Sequence, residues 1–279
     1  MAVNPLRPSE AEAAAAWAAL VDADAEQVAR VREPEPPRDF YAATAARFRP
    51  GRRDSVELPV IERYVRPGDV FLDIGAGGGR FAVPVGERVA RVLAVEPSEA
   101  MRGVLAASAA DARRTNIEVF DTRWPDPAWT EAADVSVAAH SMYDIREILP
   151  FLDAMERHTR RTCITVFGER ARGAQMAPLF EAVHGEPLAT LPSLREFVAV
   201  LAARGRRFEV ATVEGDRPSV LPLEDAAALA RRLLWLAPGS PKEQRMRALL
   251  QEWWGTPDGI AMPPGRRWVG IVTWEPPRP

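Results

Sequence analysis

VFLDIGAGGGRF, residues 70–81, is the stretch on which the reading of the fold turns. An apolar strand interrupted only by Asp73 runs into a glycine-rich turn, and residues of helical composition follow. Glycines let the backbone turn tightly and let a ligand come close without a Cβ in the way. Several classes of nucleotide-binding protein use such a turn, so its details decide between them. The dinucleotide fingerprint places glycine at the first, third and sixth positions; counted from Gly75 the sixth is Arg80, which weakens a nicotinamide reading. No Gly-Lys-Ser/Thr follows, so a phosphate-cradling P-loop is not expected.

Outward from this turn the pattern repeats. The apolar runs RVLAVE (91–96), IEVF (117–120), DVSVAAH (134–140) and CITVF (163–167) alternate with helix candidates at Arg80–Arg88, Ser98–Arg113 and Ile145–His158. That rhythm belongs to βαβ units and a parallel sheet covered on both faces, so the fold class is α/β, doubly wound. Upstream, Ser9-x-x-Glu12 opens an Ala-rich helix that the proline-dense stretch 32–39 stops, and two further helices are expected at Phe40–Phe48 and Asp54–Tyr64, the latter with an Asp54-x-x-Glu57 capping box. Downstream, helices are expected at Gln175–His184 and Ser193–Ala203, a strand at FEVATVEG (208–215), helices at Glu224–Ala237 and Pro241–Trp254, and a last strand at RWVGIVTWE (267–275). Met246, Leu249, Leu250, Trp253 and Trp254 recur at helical spacing and read as core; Trp253 and Trp254 fit packing or an interface equally, and the oligomeric state stays open.

Two further strand ends carry carboxylates, Glu96 about twenty residues past the first glycine and Asp121 after the third strand. With the turn they resemble class I methyltransferases, whose motif I, acidic-x-Gly-x-Gly-x-Gly, stands here as Asp73 to Gly79. The resemblance covers roughly residues 40–167 and, more loosely, the last two long strands as a terminal antiparallel hairpin. It implies a mostly parallel seven-stranded sheet with S-adenosyl-L-methionine (SAM) as cofactor and S-adenosylhomocysteine as product. In such a site Gly75, Ala76, Gly77 and Gly79 lie along the cofactor, Asp73 helps hold its methionine end, and Glu96 accepts from the ribose hydroxyls. Pro97 and Met101 belong to the following turn into a helix, Asp121 binds the adenine amino group, Thr122 adds a backbone contact, and Trp124 is either an adenine platform or a surface anchor. A helical insertion stands where this family has only a short turn before the last strand. The division implied is an N-terminal helical extension or lid at 1–53, then a SAM-binding domain at 54–279 with substrate-lid segments at about 170–205 and 220–262.

Strand four delivers His140, Ser141, Met142, Tyr143 and Asp144 to the reaction centre, because ligands of an open α/β sheet lie beyond the carboxyl ends of its strands. His140 is a candidate general base or cofactor contact and Tyr143 a second polar contact; His158 and His184 read as helix caps. The loop AHSMYD is not the Asn/Asp-Pro-Pro-Tyr/Phe tetrapeptide of enzymes that methylate exocyclic base amines. Cys163, the single cysteine, sits in a predicted buried strand, which disfavours cytosine C5 chemistry and fits a reducing cytoplasm. No metal-ligand cluster is apparent, and no apolar window reaches membrane-spanning length. At a net charge of −3, nucleic acid is not the expected partner, and the pairs Arg52-Arg53, Arg206-Arg207 and Arg266-Arg267 read as solvated loop charge. A small organic acceptor, methylated on oxygen or nitrogen, is expected, with a non-catalytic SAM-binding or regulatory protein, or an RNA methyltransferase, as the alternatives.

Overall fold

The apolar runs become strands in the computed structural model, which describes residues 7–36, 38–42, 44–50, 55–171, 173–215, 219–265 and 267–277. In chain order these are β1 (Val70–Ile74), β2 (Arg91–Val95), β3 (Ile117–Phe120), β4 (Ala133–Ala139), β5 (Thr159–Gly168) and β6 (Phe208–Glu214), then β7 (Ser219–Leu221), β8 (Gly255–Thr256), β9 (Gly259–Met262) and β10 (Trp268–Trp274). Seven of them form one sheet in the order β3-β2-β1-β4-β5-β10-β6, parallel except for β10, which runs antiparallel between β5 and β6. The expected terminal hairpin is therefore present: Trp274 stands opposite Phe208 on one side and Cys163 on the other. Strand order reverses between β1 and β4, and the crevice outside their carboxyl ends is where such a sheet binds ligands.

Near-continuous apolar sequence in the central strands has a direct consequence. Phe71 packs into one hydrophobic cluster and Leu72 into another, and Val92 and Leu93 divide in the same way, so both faces are covered. The helices, numbered in chain order, are α1 (Glu10–Val31), α2 (Leu58–Ile61), α3 (Ala82–Val85), α4 (Glu99–Asp111), α5 (Ile148–Arg157), α6 (Ala177–His184), α7 (Leu194–Ala203), α8 (Leu223–Leu233) and α9 (Pro241–Trp254). Residues of α2, α3 and α4 join the cluster on the Phe71 face; α1, α5 and α7 supply the cluster on the Leu72 face. A third cluster stands apart from the sheet. It gathers Leu179 and Phe180 of α6, Ala226 and Ala230 of α8, Met246 and Leu250 of α9, Ile260 of β9 and Val31 at the end of α1.

The first helix is anchored on the sheet core: Trp17 is 1% exposed, meets Phe167 and Phe197 edge-on, and donates its indole N–H to the Ile145 carbonyl at 2.7 Å. Likewise α7, expected within a lid, buries Leu194, Phe197, Val200 and Leu201 in the core on the sheet. The start of α1 at Ser9 forms as a capping box, and at the start of α7 the Ser193 amide and hydroxyl both donate to Glu196. Asp54, Arg52-Arg53 and Arg266 lie outside the described residues.

Several elements are shorter than composition implies. Phe40–Phe48 contracts to a 3-10 turn at Ala45–Phe48, and Asp54–Tyr64 becomes α2 followed by a 3-10 turn at Glu62–Tyr64. Arg80–Arg88 contracts to Ala82–Val85, bounded by Gly86 and lacking the amide of Pro84. The small sheet β7-β9-β8, whose strands are two to four residues long, was not foreseen.

Candidate active site

At the end of β1 the amides of Gly75 and Ala76 both donate to the Val95 carbonyl, at 2.8 and 3.1 Å, which continues the pairing with β2 into the turn. The chain is in the left-handed region at Gly75 (φ +77°), Gly77 (φ +55°) and Gly79 (φ +90°). At Gly79 a Cβ would come within 2.8 Å of Val83, so the glycine lets the loop settle on α3. At Gly77 the opposite holds: the nearest atom to a Cβ would be the Met101 sulfur at 4.0 Å, and the backbone is open. That open face leaves room for a ligand against the backbone.

Glu96 lies beneath it. Its carboxylate is 5% exposed and accepts the Gly77 amide at 2.7 Å on one oxygen and the Ser98 amide at 2.8 Å on the other. Burial raises its pKa, partly offset by those two amides. Asp73 is buried as well. One side of its carboxyl takes the Ala82 amide while Oδ2 has no partner, and burial pushes its pKa up to about 7, with the Glu96 charge adding to the rise. A buried, unsatisfied acceptor beside an open glycine fits a cofactor with an ammonium group, and a carboxylate with spare lone pairs fits a diol. Both are features of SAM.

The next turn is braced. Ser98 caps α4 by accepting the Met101 amide, and Arg102 donates to the carbonyls of Glu96 and Pro97. The same guanidinium grips Asp121 with two bonds, at 2.7 and 2.8 Å, so the exposed carboxylate expected to meet adenine is tied to the end of β2. Thr122 turns away to Asp126. Trp124 is not beside this loop: neither a platform nor a surface anchor, it is 8% exposed, bonds the Phe151 carbonyl at 3.2 Å and packs edge-on against Trp129 and Phe151. Burial of its large apolar ring decides its place.

His140 closes β4 with φ +56°, an uncommon conformation for a residue with a side chain. Its Nδ1 is 3.0 Å from the Tyr143 hydroxyl and its Nε2 is 3.2 Å from Glu57, while Tyr143 accepts the Gly168 amide at 2.8 Å. A neutral imidazole protonated on Nε2 satisfies all three contacts at once. Both ring nitrogens are thus engaged, and these contacts brace the end of β4. Ser141 donates to the Ile74 carbonyl, joining the ends of β4 and β1.

Glu57 was missed as a site residue. It is buried, held by Arg80 at 2.6 Å and by Ser55 and His140; burial alone would raise its pKa, but His140 and Arg80 hold it at about 2. The Arg80 that breaks the dinucleotide fingerprint is therefore the clamp on this carboxylate. No local signal exposes the pair, because Glu57 and His140 are 83 residues apart. Asp39 was missed too: its carboxylate takes the Ser98 hydroxyl and the Ala100 amide, so the segment before β1 folds back over α4, and the Phe48 carbonyl comes within 2.5 Å of where a Gly78 Cβ would stand. His184 and His158 cap no carbonyl of their own helices; they meet the Leu234 and Glu131 carbonyls.

Residues 72–167 match the model of a family described as a methyltransferase domain. This match spans β1 to β5, with the loop, Glu96 and the end of β4 inside it. Over these residues the chain is similar to methyltransferase domains, and the motif it shares with them is the glycine loop with Glu96. Solved structures share the fold: the YcgJ protein of Bacillus subtilis is 13% identical over 79% of this chain and 97% of its own, at a TM-score of 0.56. YjhP of E. coli is 14% identical over 86% of this chain and 100% of its own, at 0.54. A SAM-dependent methyltransferase of Geobacter sulfurreducens, in complex with S-adenosyl-L-homocysteine, is 13% identical over 86% and 97%, at 0.51. At these identities the likeness establishes the fold. The sequence matches no curated protein.

Proposed function

We propose that this methyltransferase binds SAM on the Gly75–Gly79 loop and passes its methyl group to an oxygen or nitrogen of a small organic molecule. The observation that carries the reading is the Glu96 carboxylate, fixed by the Gly77 and Ser98 amides beneath an open glycine. Each carboxylate oxygen accepts about two hydrogen bonds, so with one taken by an amide both oxygens keep room for a ribose hydroxyl. When bound, the sulfonium supplies an electrophilic methyl group.

What the chain adds is position. The Gly75 and Ala76 amides and the Ser141–Ile74 bond fix the ends of β1, β2 and β4 relative to one another, and Glu57, Arg80, His140 and Tyr143 brace the last of these. An in-line displacement draws most of its rate from such alignment and needs a general base only if the nucleophile arrives protonated. With both His140 nitrogens engaged, the arrangement favours an acceptor that is nucleophilic as bound. The same engagement is what a SAM-binding module without turnover would show, and that reading predicts affinity with no methyl transfer.

The acidic balance favours a small acceptor over nucleic acid. Cys163 adds to that preference, since it is fully buried and burial pushes its thiol pKa up, away from the reactive thiolate. A lone buried cysteine suits a reducing cytoplasm, and among the described residues no helix is long and apolar enough to cross a membrane. Calorimetric titration with S-adenosylhomocysteine tests the reading: the wild type is expected to bind in the micromolar range, NADH not at all, and Glu96→Ala and Gly77→Arg to lose binding. A folded wild type that ignores S-adenosylhomocysteine would overturn it.

A further inference from the structure

Beyond the carboxyl ends of β4 and β5 lies a cavity of about 80 Å³, lined by Asp24 of α1, Phe40, Leu188, Leu191, Arg232 and Trp235. Ala171 and Gly173, just past β5, also line it, and Asp144, four residues past His140, is close enough for its charge to act on Asp24. One step of backbone links this cavity to the cofactor side. Asp39 holds the start of α4 directly after Glu96-Pro97-Ser98, and the next residue, Phe40, is a cavity wall.

Asp24 is the group without an internal explanation. It is half-buried, yet among the described residues it has no hydrogen-bond or ion-pair partner. Arg232 lines the same cavity, but its guanidinium donates to the Thr44 hydroxyl at 2.7 Å and lies over the Phe40 ring. Among the described residues the charge that acts on Asp24 is the like charge of Asp144, and burial and that charge together push its pKa up to about 6. A carboxylate withdrawn from water against Leu188, Leu191 and Trp235 is stabilised by a cation that brings N–H donors.

We propose that this cavity is the acceptor site and that it recognises a small molecule carrying a basic amine, with the ammonium group on Asp24 and the apolar body against Phe40 and Trp235. Its role as acceptor site rests on the methyl-transfer reading above; its preference for amines does not. The test is calorimetric titration at pH 8, where Asp24 is ionised, with benzylamine as the cationic probe and benzyl alcohol as its neutral match. Wild type and Asp24→Asn are compared, each with and without saturating S-adenosylhomocysteine. Benzylamine is expected to bind the wild type and to weaken about ten- to a hundredfold in Asp24→Asn, the range for losing a charged hydrogen bond. Benzyl alcohol should bind both proteins alike, and S-adenosylhomocysteine affinity, which reports the fold of the variant, should not change. Equal binding of amine and alcohol, or amine binding indifferent to Asp24→Asn, would overturn the proposal. Asp24-dependent amine binding in a protein that ignores S-adenosylhomocysteine would leave the amine site standing and remove its role in methyl transfer.

Discussion

The sheet with its glycine loop and the helical cluster of α6, α8 and α9 are built on different principles. Around β1 and β2 the functional groups are held by backbone: Glu96 by two amides, Asp73 by one, the loop by the Val95 carbonyl. Around the cavity the groups are brought from five separated stretches, with Asp24, Phe40, Ala171, Leu188 and Trp235 each on a different one. A backbone-held site keeps its geometry across many side-chain changes, and only the residues that touch the ligand are constrained. A side-chain-lined cavity can change its chemistry by single substitutions. The proposed cofactor site falls in the first region, and the proposed acceptor site in the second.

The largest expected effects test whether the two regions are mechanically distinct. Trp17→Ala, which empties a fully buried position in the sheet-side core, should cost about 3–5 kcal/mol and lower the whole denaturant transition. Phe180→Ala, in the cluster away from the sheet, should cost up to a similar 3–5 kcal/mol, but S-adenosylhomocysteine affinity measured under native conditions should stay within about threefold of wild type. A Phe180→Ala protein that lost cofactor affinity in proportion to stability would show that the two cores unfold as one.

Smaller effects separate the regions by pH. Glu57, on the sheet side, has a folded pKa of about 2, below the ordinary 4.5; its stabilisation is fully present above about pH 4.5 and disappears as pH falls through 2. Glu57→Gln should lose roughly 1–3 kcal/mol at pH 7, and its melting temperature should converge with the wild type's in strong acid. Asp24, on the cavity side, has the opposite sign. Its pKa is raised from 3.8 to about 6, so its ionisation weakens the fold as pH rises through that interval and the whole penalty is present above 6. Asp24→Asn should melt like wild type near pH 3.5 and a few degrees higher at pH 8, a shift small enough to need differential scanning calorimetry.

The unequal legibility of the two regions follows from the same difference. Gly77, Gly79 and Glu96 could be picked out because they stand within one strand-helix-strand unit, where spacing along the chain sets spacing in space. Trp124 was misread because an aromatic two residues past a motif position was credited to the motif, when its ring is drawn into the core on Trp129 and Phe151. The seat of the first helix was not legible for a related reason: its packing is long-range, and Trp17 meets Phe167 and Phe197 only in the folded chain.

By itself the sequence determined the sheet, its parallel sense, the glycine turn and the carboxylate at the end of the second strand, because apolar period and turn chemistry act over a few residues. Tertiary structure alone decided that Glu57 and Arg80 would clamp His140, and that Asp24, Phe40 and Trp235 would share a cavity. Such contacts join residues tens to hundreds of positions apart, and they form only when the burial of other residues has brought them together.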